Sequence, residues 1–99
     1  MDSNRNDSGG KPPIVRLGRL LFKADVPAQL EAASVTLDDL VRRHQAGDWG
    51  MVDDDESEYL DWLAAHGKTV TSTFIVWVEG KARSVFVTTE GKTTYVVVV

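Results

Sequence analysis

The side chains most able to do chemistry are concentrated in residues 44–56, which read HQAGDWGMVDDDE. This segment combines the imidazole of His44 with the carboxylates of Asp48 and Asp53–Asp55. Imidazole and carboxylate groups bind metal ions and also act as general acids and bases. A metal-dependent enzyme built at the His44/Asp48/Asp53 joint is therefore one function that these residue types permit.

The spacing of these residues argues against a metal site. A calcium-binding loop beginning at Asp53 would need glycine at its sixth position and glutamate at its twelfth, but those positions hold Glu58 and Ala64. The chain contains no cysteine, no H-E-x-x-H segment and no nucleotide-binding or nucleophile motif. We expect neither a metal nor another cofactor, and the sequence favours a protein that is not an enzyme.

Ordinary helix chemistry accounts for the same segment as a joint between two helices. Gly47 is placed to end one helix, and Asp53 is placed to cap the next, with Glu56 as its capping-box partner. We expect the ring of His44 to lie in the core and bind a backbone carbonyl, and Trp49 to be buried beside it. The residues of this structural joint are His44, Gly47, Asp48, Trp49 and Gly50.

The hydrophobic pattern on either side of the joint predicts an α+β fold. A strand is expected over Ile14–Phe22 and a short helix over Pro27–Ala33. A second helix, capped by Thr36, should bury Leu37, Leu40, Val41 and His44. The third should bury the residues on its predicted inner face: Tyr59, Leu60, Leu63 and Ala64.

From residue 70 onward the pattern changes to the two-residue period of β-strands. Three strands separated by the turns EGKA and EGK predict an antiparallel meander packed on the helices. Residues 14–99 are expected to form a single domain, and the polar residues 1–13 a disordered tail. The apolar terminus YVVVV needs burial in a central strand or an interface, so a homo-oligomer through the sheet is one option.

The charge of the chain is unevenly distributed. The formal net charge is −4, but residues 24–67 hold eleven acidic and two basic groups, which gives −9. This block is either a solvated face or a surface for a protein partner. Such a surface could bind a basic protein, or its carboxylates could mimic the phosphates of DNA. The candidate residues of the acidic surface are Asp38, Asp39, Asp53, Asp54, Asp55, Glu58 and Asp61.

Nucleic-acid binding is the main alternative to a protein partner. It would use a basic sheet face that includes Arg16, Arg19, Lys23, Lys81, Arg83 and Lys92. The acidic middle of the chain disfavours it, because phosphates attract basic surfaces. No apolar run approaches the ~20 residues of a membrane helix, and the N-terminus lacks the apolar core of a secretory signal. The expected location is therefore the cytoplasm, with no membrane partner.

The segment LVRRHQAGDWG resembles a family of small, uncharacterised bacterial proteins carried on plasmids, phages and other mobile elements. The family pattern R-H-x-x-G-D-W-G is matched by Arg43, His44 and 47–50, and the strand segments TSTF and VTTEGKTTYVVVV echo its second half. The resemblance covers roughly residues 26–99. It implies a mobile-element accessory protein, plasmid-related or loosely associated with restriction systems, without established catalytic residues. A role in antagonism or regulation of host defence is the function it suggests.

Overall fold

A computed structural model of the protein describes residues 14–99. Within this range the chain has the predicted α+β fold, with three helices and a four-stranded mixed sheet. Strand β1 (Arg19–Phe22) is followed by helices α1 (Val26–Ala32), α2 (Leu37–Gln45) and α3 (Asp54–Ala65). Strands β2 (Val70–Val78), β3 (Lys81–Glu90) and β4 (Thr93–Val98) complete the chain. The disordered tail predicted over 1–13 lies outside the described residues.

The predicted caps set the starts of the second and third helices. The Thr36 hydroxyl accepts from the backbone N–H of Asp39 at 3.0 Å, and the Asp53 carboxylate accepts from that of Glu56 at 2.8 Å. Each cap satisfies an N–H that has no partner within its helix. The predicted inner face of α2 is also confirmed, because Leu40, Val41 and His44 are buried there and Leu37 packs against the core.

Helix α3 presents most of its predicted inner face to the core. Leu60 is buried and Leu63 and Ala64 pack beside it, as expected. Tyr59, however, is 60% exposed, so its assignment to the inner face was wrong. Consecutive residues point about 100° apart around a helix, and the direction that buries Leu60 therefore turns Tyr59 towards solvent.

The three C-terminal strands form the predicted antiparallel meander, and the N-terminal strand adds to it in parallel. The sheet order is β1-β4-β3-β2, in which β1 pairs with β4 from Arg19↔Thr93 to Phe22↔Val96. The strand predicted from Ile14 is shorter because Gly18 has φ +61°, outside the extended region. The backbone N–H groups of Ile14 and Val15 instead donate to the carbonyl of Gln45 at the end of α2.

The helices pack on one face of the sheet and form its core with alternate strand residues. The main cluster joins Val26, Leu30, Leu40 and Val41 of the helices to the sheet. Its sheet members are Phe74, Val76, Val85, Val87 and Val96. A second cluster consists of Val15, Trp49, Leu60 and Val70 and lies where the helix joint meets the sheet. No helix of the described chain is long and apolar enough to cross a membrane.

The joint between α2 and α3 also protects one edge of the sheet. The N–H of Thr73 in edge strand β2 donates to the carbonyl of Trp49 at 3.0 Å, and the N–H of Met51 donates to the Thr73 carbonyl at 2.8 Å. Gly50 lies between these bonds with φ +77°, and a Cβ there would lie 1.9 Å from the Thr73 oxygen. A residue without a side chain therefore lets the joint occupy hydrogen-bonding groups that an open edge would expose.

Replacing Gly50 by alanine tests this close approach. Gly50→Ala should lower the free energy of unfolding by several kcal/mol, because it adds a backbone clash to the strain of a positive φ, which alone costs about 1–2 kcal/mol. Gly67→Ala is the matched control, since Gly67 has φ +66° and nothing within 4 Å of the added Cβ. Urea unfolding measures both variants, and equal losses would contradict the role of Gly50 at the edge.

Candidate functional site

A chain of buried hydrogen bonds passes through His44, which is fully buried in α2. Its Nδ1 lies 2.7 Å from the Ser72 hydroxyl of β2, and its Nε2 lies 2.8 Å from the Thr89 hydroxyl of β3. The Thr89 hydroxyl lies 2.7 Å from that of Thr94 in β4. One ring thus connects a helix to three strands of the sheet by polar contacts.

Both ends of this chain are backbone carbonyl groups. The Ser72 hydroxyl donates to the carbonyl of Asp48 at 2.9 Å, and the Thr94 hydroxyl donates to the carbonyl of Leu17 at 2.8 Å. The carbonyl expected directly on His44 is therefore replaced by two hydroxyls, and that detail of the sequence prediction was wrong. The network joins the α2–α3 joint to the segment that leads into β1.

The number of hydrogens in this chain depends on the protonation state of His44. Five contacts run between two carbonyl oxygens, which only accept. Three hydroxyls and a neutral imidazole supply one hydrogen each, and these fill four of the five contacts. A protonated ring would fill all five, because both of its nitrogens donate. A neutral His44 consequently leaves two acceptors facing each other at one position in the chain.

The surroundings of His44 disfavour its charged form. Burial lowers the pKa of His44 to about 4 by removing the imidazolium from water. The ring of Trp49 packs against it in an edge arrangement, with 5.7 Å between ring centroids. The nearest charged side chain along α2, Arg43, is directed to the Asp48 carboxylate at 2.9 Å and over the ring of Phe74. The ring is therefore neutral at pH 7, and the five contacts of the hydrogen-bond chain share four hydrogens.

The rest of the joint holds Trp49 and the turn around it. Trp49 is 2% exposed, which confirms its predicted burial, and its indole N–H donates to the Asp61 carboxylate of α3 at 2.8 Å. One oxygen of the Asp48 carboxylate binds Arg43, and the other accepts from the N–H of Gly50 at 3.0 Å. These contacts support the interpretation of residues 44–50 as a structural joint.

Structural contacts occupy several carboxylates of the predicted acidic surface. All seven of these residues are exposed, but Asp53 caps α3, Asp61 binds Trp49, and Asp38 pairs with Arg42 at 3.0 Å. Asp38 and Asp39 lie in the first turn of α2, and Asp54 and Asp55 in that of α3, where carboxylates favour the helix dipole. Helix stability explains this distribution, so a partner for the acidic surface remains a prediction.

The residues proposed for a metal site do not converge in the structure. Within residues 14–99, no group of three or more histidine, aspartate or glutamate side chains is arranged to hold a metal ion. Both nitrogens of His44 face hydroxyl groups, while Asp53 caps a helix and Asp48 binds Arg43. The joint therefore offers structural contacts in place of the donor set that the metal-dependent alternative requires.

The basic residues considered for nucleic-acid binding lie at two opposite ends of the sheet. Arg16, Arg19 and Lys92 lie where β4 begins, and the Arg19 N–H donates to the Lys92 carbonyl. The residues at the other end, near the C-terminus of β4, are Lys23, Lys81 and Arg83. About five residues of extended strand, or ~17 Å, separate the two groups. They do not form a continuous basic platform.

The most exposed apolar surface is the face of the sheet opposite the helices. Register places six residues in a diagonal band across it: Leu21, Tyr95, Val97, Phe86, Ile75 and Trp77. We call this band the apolar stripe. Trp77 is 64% exposed, and Leu21, Tyr95, Val97 and Ile75 are each between 39% and 49% exposed. No helix of the described chain packs on this face, because all three lie on the other side.

A second exposed apolar feature runs along α3. Tyr59 and Trp62 stack with ring centroids 6.4 Å apart, and Trp62 stacks on His66 at 4.1 Å. The His66 ring also binds the carbonyl of Trp62 at 2.8 Å near the end of the helix. His66 follows the last residue of α3 as its C-cap, and the exposed aromatic row was not predicted from the sequence.

The apolar stripe was not predicted from the sequence. The signal was present in Ile75 and Trp77, which alternate with the core residues Phe74 and Val76. Tyr95 and Val97 alternate with Thr94 and Val96 in the same way. Connecting these residues across strands required the register. The hydroxyl partners of His44 were also missed, since 28 and 45 residues separate Ser72 and Thr89 from it.

Comparisons with protein-family models, with curated proteins and with solved structures find no match for this chain.

The pKa of His44 predicts how stability changes with pH. The unfolded pKa of 6.5 exceeds the folded value of about 4, so the unfolded chain binds more protons between these values. Stability is therefore fully present above pH 6.5 and falls as the pH drops towards 4. The loss from this group approaches about 3 kcal/mol, and urea unfolding at several pH values measures it.

A His44→Gln variant separates this effect from the titration of carboxylates. The variant is expected to be less stable at neutral pH but to lack the part of the slope between pH 6.5 and 4 that belongs to His44. A wild-type protein that becomes more stable over the same decrease in pH would show that the complete chain of five bonds outweighs burial.

Proposed function

We propose that this protein is a non-enzymatic binding module that contacts another protein through the apolar stripe. The observation that carries the proposal is the exposure of large side chains on one face of a sheet whose other face packs against the helices. Exposed apolar patches of a few hundred Å² commonly mark interaction sites in proteins of this size. The stripe is about 25 Å long by strand geometry and covers roughly 300 Å².

The composition of the stripe favours protein over nucleic acid as the partner. Its six side chains carry no charge. Interface cores are depleted in charged residues and enriched in aromatic ones, and the stripe contains Trp77, Phe86 and Tyr95. Single-stranded nucleic acid also stacks on aromatic side chains, but it needs a cationic groove along its backbone. The separation of the basic residues to the two ends of the sheet weighs against that alternative.

The resemblance at residues 43–50 suggests a biological setting for the module. On that basis we propose an accessory protein of a mobile element, acting in the cytoplasm on a protein of host defence or of its regulation. The acidic residues of α2 and α3 then surround a different side of the molecule, where their charge would favour solubility and steer a partner's approach.

Photo-crosslinking from the stripe tests the proposed binding role. A benzophenone amino acid in place of Trp77 should give one discrete protein adduct in a cell lysate. The same probe in place of Trp62, which is 51% exposed on α3, is the control and should not give this adduct. The adduct should also disappear when Tyr95→Ser is added to the Trp77 probe, because an aromatic contact at the other end of the stripe is lost. Equal labelling from both positions, or no discrete adduct, would contradict the proposal.

A further inference from the structure

We infer that the apolar stripe binds a second copy of this chain, so that two sheets pack face to face in a homodimer. This inference rests on the binding role proposed for the stripe and takes a second copy, in place of a foreign protein, as the occupant. It concerns the face formed by all four strands, of which the stripe is the apolar centre.

The stripe crosses the sheet along one diagonal. It begins at Leu21 on β1, which pairs with Tyr95 on β4, and continues through Val97, which pairs with Phe86 on β3. It ends at Ile75 and Trp77 on edge strand β2. The other side of this face is polar, and the residues there are Arg19, Thr71, Thr73, Thr88, Glu90 and Thr93. The Thr71 and Thr88 hydroxyls bind each other at 2.8 Å.

A diagonal band suits contact between two twisted sheets. Each sheet has a right-handed twist, so two sheets that cross at a large angle meet most closely along a diagonal and separate at the corners. A two-fold axis through the centre of the stripe would place it against its own copy. In such an isologous contact the apolar band of one copy packs on the same band of the other, so no second complementary surface is needed.

The distribution of charge favours the sheet face for contact between two copies. The chain has a net charge of −4, with a surplus of nine negative charges between residues 24 and 67. Two copies that met through the helical side would bring these carboxylates together. The sheet face carries one positive residue, Arg19, and one negative residue, Glu90, so its net charge is zero. Its contact with a second copy therefore has little electrostatic cost.

The size of the face fits a reversible dimer. Four strands of this length present roughly 500 Å² per copy, or about 1,000 Å² for the pair, which is at the lower limit of specific interfaces. Such an area is expected to give dissociation in the micromolar range unless the packing is unusually good. The protein should therefore exchange between monomer and dimer at concentrations that are accessible in solution.

Sedimentation of the purified protein, from about 1 µM to about 1 mM, tests the dimer. The average mass should rise towards twice the monomer value as concentration increases. Trp77→Ser should weaken the association at least tenfold, and Trp77→Phe should restore much of it. Trp62→Ser is the matched control, because it removes an exposed tryptophan from α3, and it should leave the association unchanged. Added salt should strengthen the wild-type dimer, since it screens the repulsion of two acidic chains.

The outcomes separate this inference from the more general proposal. A monomer at every concentration, combined with a discrete foreign adduct from the Trp77 probe, would overturn the dimer and leave the binding role intact. A dimer weakened equally by Trp62→Ser and Trp77→Ser would overturn the assignment to the sheet face. A crosslink between two copies from the Trp77 probe in the purified protein, with none from the Trp62 probe, would support it.

Discussion

The buried hydrogen-bond chain through His44 is the constraint on which the arrangement of helices and sheet depends. It begins at the Asp48 carbonyl, crosses from α2 to three strands, and ends at the Leu17 carbonyl. A buried polar group without a partner costs about 1–3 kcal/mol, so α2 cannot shift along the sheet without leaving several such groups unpaired. The apolar clusters on either side stabilise the fold by burial, and the polar chain fixes its register.

The tautomer of His44 decides which part of this hydrogen-bond chain lacks a hydrogen. If Nε2 carries the ring hydrogen, the bonds through Thr89 and Thr94 are complete. Because the Ser72 hydroxyl donates to the Asp48 carbonyl, the contact between Ser72 and Nδ1 is then left without a hydrogen. If Nδ1 carries it, the contacts of Ser72 are complete. Because Thr94 donates to the Leu17 carbonyl, the shortage then moves to the contacts of Thr89 with the ring and with Thr94. The tautomer of one buried ring therefore sets whether the missing bond is the one from α2 to β2 or one of those that involve Thr89 of β3.

Local chemistry made much of this structure predictable, whereas its long-range pairings were not. Thr36 and Asp53 indicate where helices begin, because a cap acts within three residues. The meander follows from the two-residue period of its apolar side chains and from its turns. The parallel addition of β1 and the hydroxyl partners of His44 join residues far apart in sequence, for which no local signal exists. Tyr59 was misplaced because an apolar residue beside a buried one does not reveal which of them faces inward. The helices cover one face of the sheet, and no helix of residues 14–99 packs on the other face. Only the strand register shows that the exposed side chains of that face form a stripe.

The nitrogen resonances of the His44 ring, measured by long-range ¹H–¹⁵N correlation at pH 7, report directly on the number of hydrogens in the buried chain. We expect a neutral ring in which one nitrogen carries hydrogen, and that nitrogen identifies the side of the hydrogen-bond chain that is one hydrogen short. The ring should remain neutral well below pH 6.5, since burial lowers the pKa to about 4. Two protonated nitrogens at pH 7 would contradict this expectation, because all five contacts would then hold a hydrogen.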